Sequence, residues 1–91
     1  MSTEPNKSVK VTRSRFELDE DGHTAFLEFE TDGHWITLLH TEVPPELRER
    51  GIGSELARTA LDYARDNNLK VDIVCPSVAN FLTRHPEYRP T

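Results

Sequence analysis

The chain has 91 residues, of which 35% are hydrophobic and 30% charged, and its formal net charge is −5. A chain of this length forms one small domain, and no apolar stretch reaches the roughly 18–20 residues that span a membrane. The acidic excess disfavours a nucleic-acid-binding protein that relies on bulk positive charge.

The polar start of the chain and its single cysteine bear on its domain organisation and its cellular compartment. Residues 1–8 are polar and contain Pro5, so we expect a flexible tail followed by one domain over residues 9–91. Cys75 alone excludes an intrachain disulfide, and no His, Cys, Asp or Glu spacing matches a metal site. Because the start lacks the apolar segment of a secretory signal, we expect a cytoplasmic protein with no membrane partner.

Apolar alternation predicts three strands, over residues 9–18, 23–30 and 35–43. Two turn segments separate them, Asp19–Gly22 and Thr31–Gly33, so the three strands form an antiparallel meander. The apolar phase changes within the first strand, which predicts a bulge or break near Arg13 and Ser14.

The third strand carries apolar residues on both faces, which predicts cover on both sides. Strict alternation puts Ile36 and Leu38 on one face together with His40 and Glu42. The other face then holds Trp35, Leu39 and Val43.

A helix, a strand and a second helix follow. Ile52, Leu56, Ala60 and Ala64 recur at four-residue spacing, which predicts a helix that stops near Asn67. Residues 70–74 predict a fourth strand, and a short helix opens at Pro76 or Ser77 and ends before Pro86. The element order is β-β-β-α-β-α, so the sheet of this α+β domain is mixed, with one parallel crossover between the third and fourth strands.

The segment between the third strand and the first helix has the chemistry of an anion site. Gly51 and Gly53 open the helix, where backbone N–H groups have no partners within the helix. Glycine leaves room for a phosphate to approach those groups, and Arg48 and Arg50 add positive charge. The segment lacks the Gly-Lys-Ser/Thr ending of a nucleotide P-loop. The alternative is a plain helix start with surface arginines.

The pattern Arg48-x-x-Gly51-x-Gly53 resembles the acetyl-coenzyme A motif of the GNAT N-acetyltransferase superfamily. A longer set of segments is similar to the compact YjdJ-type subgroup of GNAT-like proteins. These segments are His40–Arg48, Gly51–Ser54, Ala60–Ala64, Cys75–Pro76 and His85–Tyr88. One departure is Glu49, which stands where the subgroup often has glycine, and a carboxylate there is unfavourable beside a pyrophosphate.

The resemblance implies a minimal GNAT fold without the N-terminal helices and C-terminal strands that usually complete the amine-binding side. It implies coenzyme A as ligand, with the pyrophosphate on the backbone from Arg48 to Ser54 and the pantetheine arm between the third and fourth strands, near Glu42 and Val43. The implied cofactor-binding residues are Val43, Arg48, Glu49, Arg50, Gly51, Ile52, Gly53 and Ser54.

Three side chains are candidates for the reaction. His40 and Glu42 lie near the motif and are candidates for the base that accepts a proton from the amine. Cys75 precedes a helix start, a position that favours ionisation of a thiol. It either accepts the acetyl group or lines the thioester channel. The alternatives are structural: a hydrogen-bonded histidine, a solvated carboxylate and a buried apolar cysteine.

We therefore predict a small acetyl-coenzyme A-dependent N-acetyltransferase. Its acceptor is an amine on a small molecule, peptide or protein, and the chain is a monomer or weak homodimer. Two alternatives remain, a non-catalytic module that binds coenzyme A or its acyl form, and a domain used only for protein contacts. The paired glycines favour the first two, because a pure contact domain has no need for bare amides at a helix start.

Overall fold

The computed structural model describes residues 9–89, which form a five-stranded sheet with two α-helices on one face. The strands lie side by side in chain order. They are β1 (Lys10–Val11), β2 (Arg15–Glu20), β3 (His23–Thr31), β4 (Trp35–Glu42) and β5 (Lys70–Ile73), and the helices are α1 (Ile52–Asp66) and α2 (Pro76–Arg84). Two short 3-10 segments, Pro45–Leu47 and Pro86–Tyr88, flank the helices.

The predicted first strand is two strands. The chain reverses at Thr12, whose Oγ1 accepts a hydrogen bond from the Arg15 N–H at 3.0 Å. β1 then pairs antiparallel with β2, so that Val11 lies opposite Phe16. The predicted bulge or break near Arg13 and Ser14 is confirmed as a break between β1 and β2, and this reversal is the reason for the change of apolar phase.

The meander and the parallel crossover are confirmed. β2, β3 and β4 are antiparallel, and the turns between them use Gly22 and Gly33 with φ of 79° and 92°. β4 and β5 are parallel, with Trp35 opposite Lys70 and Leu38 opposite Ile73. No α-helix within residues 9–89 is long and apolar enough to cross a membrane.

One core lies between the helices and the sheet. The face of β2, β3 and β4 that carries the helices contributes buried residues, among them Phe16, Leu27 and Leu38, all fully buried. α1 adds the predicted apolar stripe, including Leu56, also fully buried. No helix within residues 9–89 lies over the opposite face of the sheet, and Trp35 is 46% exposed there. The prediction that the third strand is covered on both sides was therefore wrong.

A bulge in β4 changes which residues share a face. His40 lies opposite Glu28, but Leu38 lies opposite Phe29, so Leu39 is an extra residue in β4. One extra residue moves every following side chain to the other face. His40 and Glu42 consequently lie on the open face, away from Ile36 and Leu38, and the predicted shared face was wrong.

Candidate functional site

Two contacts hold the segment between β4 and α1 in place. Leu47, in the 3-10 segment after β4, is fully buried in the core. The Nε of Arg48 donates a hydrogen bond to the Val43 carbonyl at 3.1 Å, which ties the segment back to the end of β4. These contacts bring the start of α1 close to the last residues of β4.

The start of α1 has backbone N–H groups without acceptors in the helix. The first helical hydrogen bond runs from the Glu55 N–H to the Gly51 carbonyl at 3.0 Å, so the N–H groups of Ile52, Gly53 and Ser54 have no helical acceptor. Gly51 has a φ of 76°, the left-handed region that favours glycine. A Cβ added at Gly51 or Gly53 meets no atom within 4 Å, so both glycines border open space.

A cleft of about 320 Å³ lies in front of these groups. It is lined by all the predicted cofactor-binding residues except Arg50. Three residues of α2 that were not predicted from the sequence also line it, Ser77, Asn80 and Arg84. Their spacing of three and four residues on one helix face was a usable signal, but only the packing of α2 beside α1 brings that face to the cleft.

Arg50 has partners elsewhere. Its guanidinium contacts Glu20 at 2.8 Å and Asp21 at 2.7 Å, both in the turn region between β2 and β3. Its hydrogen bond and charge hold the pKa of Asp21 below the ordinary value, and the two carboxylates raise the pKa of Arg50. Arg50 therefore joins the segment to the β2–β3 turn and does not line the cleft.

Two other arginines supply positive charge to the cleft. Arg48 and Arg84 line it, and neither has a carboxylate partner within residues 9–89. Arg84, in α2, donates a long hydrogen bond of 3.4 Å to the Oγ of Ser54, in α1. Glu49 also lines the cleft and has a φ of 65°, a conformation that glycine adopts without strain.

β4 and β5 separate beside this cleft. Their last paired residues are Leu38 and Ile73, and the N–H groups of Val74 and Cys75 both reach the Leu38 carbonyl at 2.9 Å. β4 continues to Glu42 without β5 beside it. Among the strands of residues 9–89, none is paired with β4 from Leu39 to Glu42 on the side where the resemblance implies the pantetheine arm.

The three candidate reactive side chains fall into two groups on opposite sides of the sheet. On the open face, the His40 Nε2 and the Glu42 Oε1 are 2.9 Å apart, and the two side chains are 56% and 53% exposed. On the core side, Cys75 is 1% exposed, and its Sγ lies 3.1 Å from the Oγ1 of Thr41. Thr41 was missed, because strict alternation without the bulge puts it on the wrong face.

A second, larger groove of about 720 Å³ lies elsewhere. It is bordered by the end of α1, the first residues of β5 and the 3-10 segment that contains Tyr88. None of the predicted site residues lines it. Within residues 9–89, no three His, Cys, Asp or Glu side chains come together as a metal site would need.

Similar proteins are found over most of the chain. Residues 15–91 match the family model described as GCN5-related N-acetyl-transferase. The Xenopus tropicalis protein NATD1 is 32% identical over 92 residues, which cover 93% of this chain and 84% of that protein. The human protein NATD1 is 37% identical over 51 residues, 56% of this chain and 45% of that protein, and the mouse protein is equally similar over 46% of its length.

The matched region covers most of the domain, from β2 to the C-terminal residue, and includes the cleft and the strand opening beside it. The parallel crossover and the helix start at Gly51 and Gly53 both lie within the residues that match this family. This chain belongs to the GCN5-related N-acetyltransferase family.

Proposed function

We propose that this protein transfers an acetyl group from acetyl-coenzyme A to an amine. The observation that supports this most directly is the cleft at the start of α1. There, three N–H groups without helical acceptors adjoin two arginines without carboxylate partners among the described residues. A pyrophosphate needs hydrogen-bond donors and positive charge, and this cleft supplies both.

The fit of coenzyme A is further supported by the room beside the glycines. Each missing Cβ leaves space in which a phosphate can reach the N–H groups. In this proposal Arg48 and Arg84 hold the phosphates with Ile52, Gly53 and Ser54, while Arg50 acts only by fixing the segment. Glu49 opposes binding through its charge, so the affinity is lower than that of the same site with glycine.

The open edge of β4 would hold the pantetheine arm. In the part of the chain that the structure describes, the backbone from Leu39 to Glu42 has no strand on that side, and it can pair with the amide groups of an extended ligand. When bound, acetyl-coenzyme A supplies an activated acetyl thioester. Cys75 and Thr41 lie on the core side of this opening, and a thiol that is 1% exposed is better suited to lining the channel than to carrying an acetyl group.

His40 is the proposed general base. In its neutral form, with Nε2–H donating to Glu42 at 2.9 Å, the Nδ1 is free to accept the proton that the amine loses. Glu42 then positions the ring and stabilises its protonated form, as a carboxylate does for histidine in other acyl-transfer sites. Both side chains are more than half exposed, which allows an amine on a large molecule, such as a peptide or protein, to reach them.

An acetyl-transfer assay with a panel of amines tests the proposal. Amines on small molecules, on peptides and on an unstructured protein are compared, and acetylated products are measured by mass. His40→Ala should lower the rate by about 10²–10⁴-fold. His34→Ala, which changes an exposed histidine in the β3–β4 turn, is the matched control and should leave the rate unchanged.

Cys75→Ala separates the two routes of transfer. In direct transfer the variant keeps much of its activity, and no acetyl group appears on the protein when the amine is omitted. A covalent route predicts the opposite, with activity lost and an added acetyl mass on the wild-type chain. If acetyl-coenzyme A binds but no amine in the panel is acetylated, the non-catalytic module replaces the enzyme.

A further inference from the structure

β5 is the last strand of the sheet and pairs only with β4 within residues 9–89. Toward β4, the Lys70 N–H donates to the His34 carbonyl and the Val74 N–H to the Leu38 carbonyl, both at 2.9 Å. Because this direction alternates along a strand, the backbone groups of Val71 and Ile73 face away from β4.

The side chains along this edge alternate as well. Val71 and Ile73 point to the core side and are half-buried, while Lys70 and Asp72 point to the open face and are exposed. Neither charged residue has an ion-pair partner among the described residues, although Lys70 lies 5.8 Å from the ring of Trp35. Two opposite charges therefore stand two residues apart on an unpaired edge.

We propose that this edge pairs antiparallel with the same edge of a second copy of the chain, about a two-fold axis at Val71. Each Val71 then exchanges backbone hydrogen bonds with the partner's Val71. The same register sets Lys70 opposite the partner's Asp72, and Asp72 opposite the partner's Lys70. The two sheets join into one, with the helices of both copies on the same side.

The charges of Lys70 and Asp72 favour this register over the two neighbouring registers. A two-fold axis at Asp72 also uses the outward backbone groups of Val71 and Ile73, but it sets Asp72 against the partner's Asp72. An axis at Lys70 sets lysine against the partner's Lys70. Directly opposed like charges destabilise a strand pair, whereas opposite charges stabilise it. Only the axis at Val71 pairs both charges with their opposites.

The second groove gives the paired strands room on the core side. It borders the edge at Leu69 and Val71 and extends to Tyr88, so the helix layer does not close over the edge there. In the proposed register the partner's Ile73 lies opposite Leu69, beside this groove. Apolar side chains of both copies thus meet below the strands, while the charged pairs form above them.

Sedimentation of the purified full chain over a concentration series tests the proposal. We expect a monomer–dimer equilibrium that shifts toward monomer as salt rises, because the charged pairs are exposed. Lys70→Asp and Asp72→Lys should each weaken the dimer by roughly tenfold or more. Lys10→Asp makes the same charge change as Lys70→Asp but lies on β1, at the other edge, and should have no effect.

A double variant and a mixture of the two single variants identify the register. The double variant Lys70→Asp/Asp72→Lys restores both opposite pairs and should dimerise like wild type. The two single variants, mixed together, should form a heterodimer with two opposite pairs, although each alone dimerises more weakly than wild type. A chain that is monomeric up to its solubility limit overturns the proposal, and so does a dimer that these variants leave unchanged. Neither result depends on coenzyme A binding or on acetyl transfer.

Discussion

Substitution by alanine should change the free energy of unfolding in opposite directions at Gly51 and Gly53. An alanine Cβ meets no atom within 4 Å at either position, so neither substitution causes a steric clash. The backbone differs, because Gly51 precedes the helix with a φ of 76° and Gly53 lies within α1. Any difference in stability between Gly51→Ala and Gly53→Ala therefore comes from backbone conformation alone.

The expected magnitudes follow from that difference. Gly53→Ala should raise the free energy of unfolding by about 0.5–1 kcal/mol, because alanine loses less conformational freedom in a helix. Gly51→Ala should lower it by about 1–2 kcal/mol, because an L-residue is strained in the left-handed region. In a domain of this size the two melting temperatures should differ by about 10 °C, with wild type between them.

Calorimetric titration with acetyl-coenzyme A supplies the second half of the test. Both alanines place a methyl group in the cleft, so both should weaken binding even though one stabilises the fold. Gly53→Val should weaken it further, because its side chain fills more of the space. If both alanines shift the melting temperature in the same direction, backbone conformation does not determine their effects on stability. If Gly53→Val binds as tightly as wild type, the phosphates do not lie at the start of α1.

Three further predictions concern stability and charge. Glu49 has a φ of 65°, so Glu49→Gly should stabilise the fold by up to about 1 kcal/mol in urea unfolding. The same variant should raise the affinity for acetyl-coenzyme A, because it removes a negative charge from the cleft. Glu49→Gln should raise this affinity without stabilising the fold. Arg50 lowers the pKa of Asp21, so this pair stabilises the fold above about pH 4 and the contribution is lost as the pH falls through the lowered pKa. Urea unfolding of Arg50→Gln should accordingly approach that of wild type at low pH, and a constant gap would contradict this account. Leu56→Ala and Leu61→Ala should each cost about 2–5 kcal/mol in the same assay, and a loss below about 1 kcal/mol would show that the site repacks.

Local patterns were sufficient to predict most elements of this fold. The four-residue apolar repeat predicted α1, and Asn68, just after it, has a φ of 57°, the left-handed conformation expected of an asparagine stop. The turn at Asp32 and Gly33 was also recognisable, because the Asp32 side chain accepts hydrogen bonds from the N–H groups of the two residues after Gly33. Such features depend on neighbours within a few residues, which the sequence displays directly.

The candidate cofactor cleft was predicted in part for the same reason. The run from Arg48 to Ser54 is contiguous, so its glycines and charges could be read together, and all but Arg50 line the cleft. Arg50 differs because its carboxylate partners lie 29 and 30 residues earlier in the chain. The α2 residues were missed for a related reason, since only helix packing brings Arg84 beside Ser54.

Local sequence patterns predicted the order of the elements from β2 to α2, the antiparallel meander, the parallel crossover and the helix start at Gly51 and Gly53, but not the pairing of β1 with β2. The tertiary structure decided the side-chain faces at the end of β4, because the bulge at Leu39 depends on how that strand registers against β3. One extra residue sends His40 and Glu42 to the open face and turns Thr41 toward Cys75. A period-two pattern cannot reveal such a shift, because the apolar residues before and after the bulge each remain consistent with an ordinary strand.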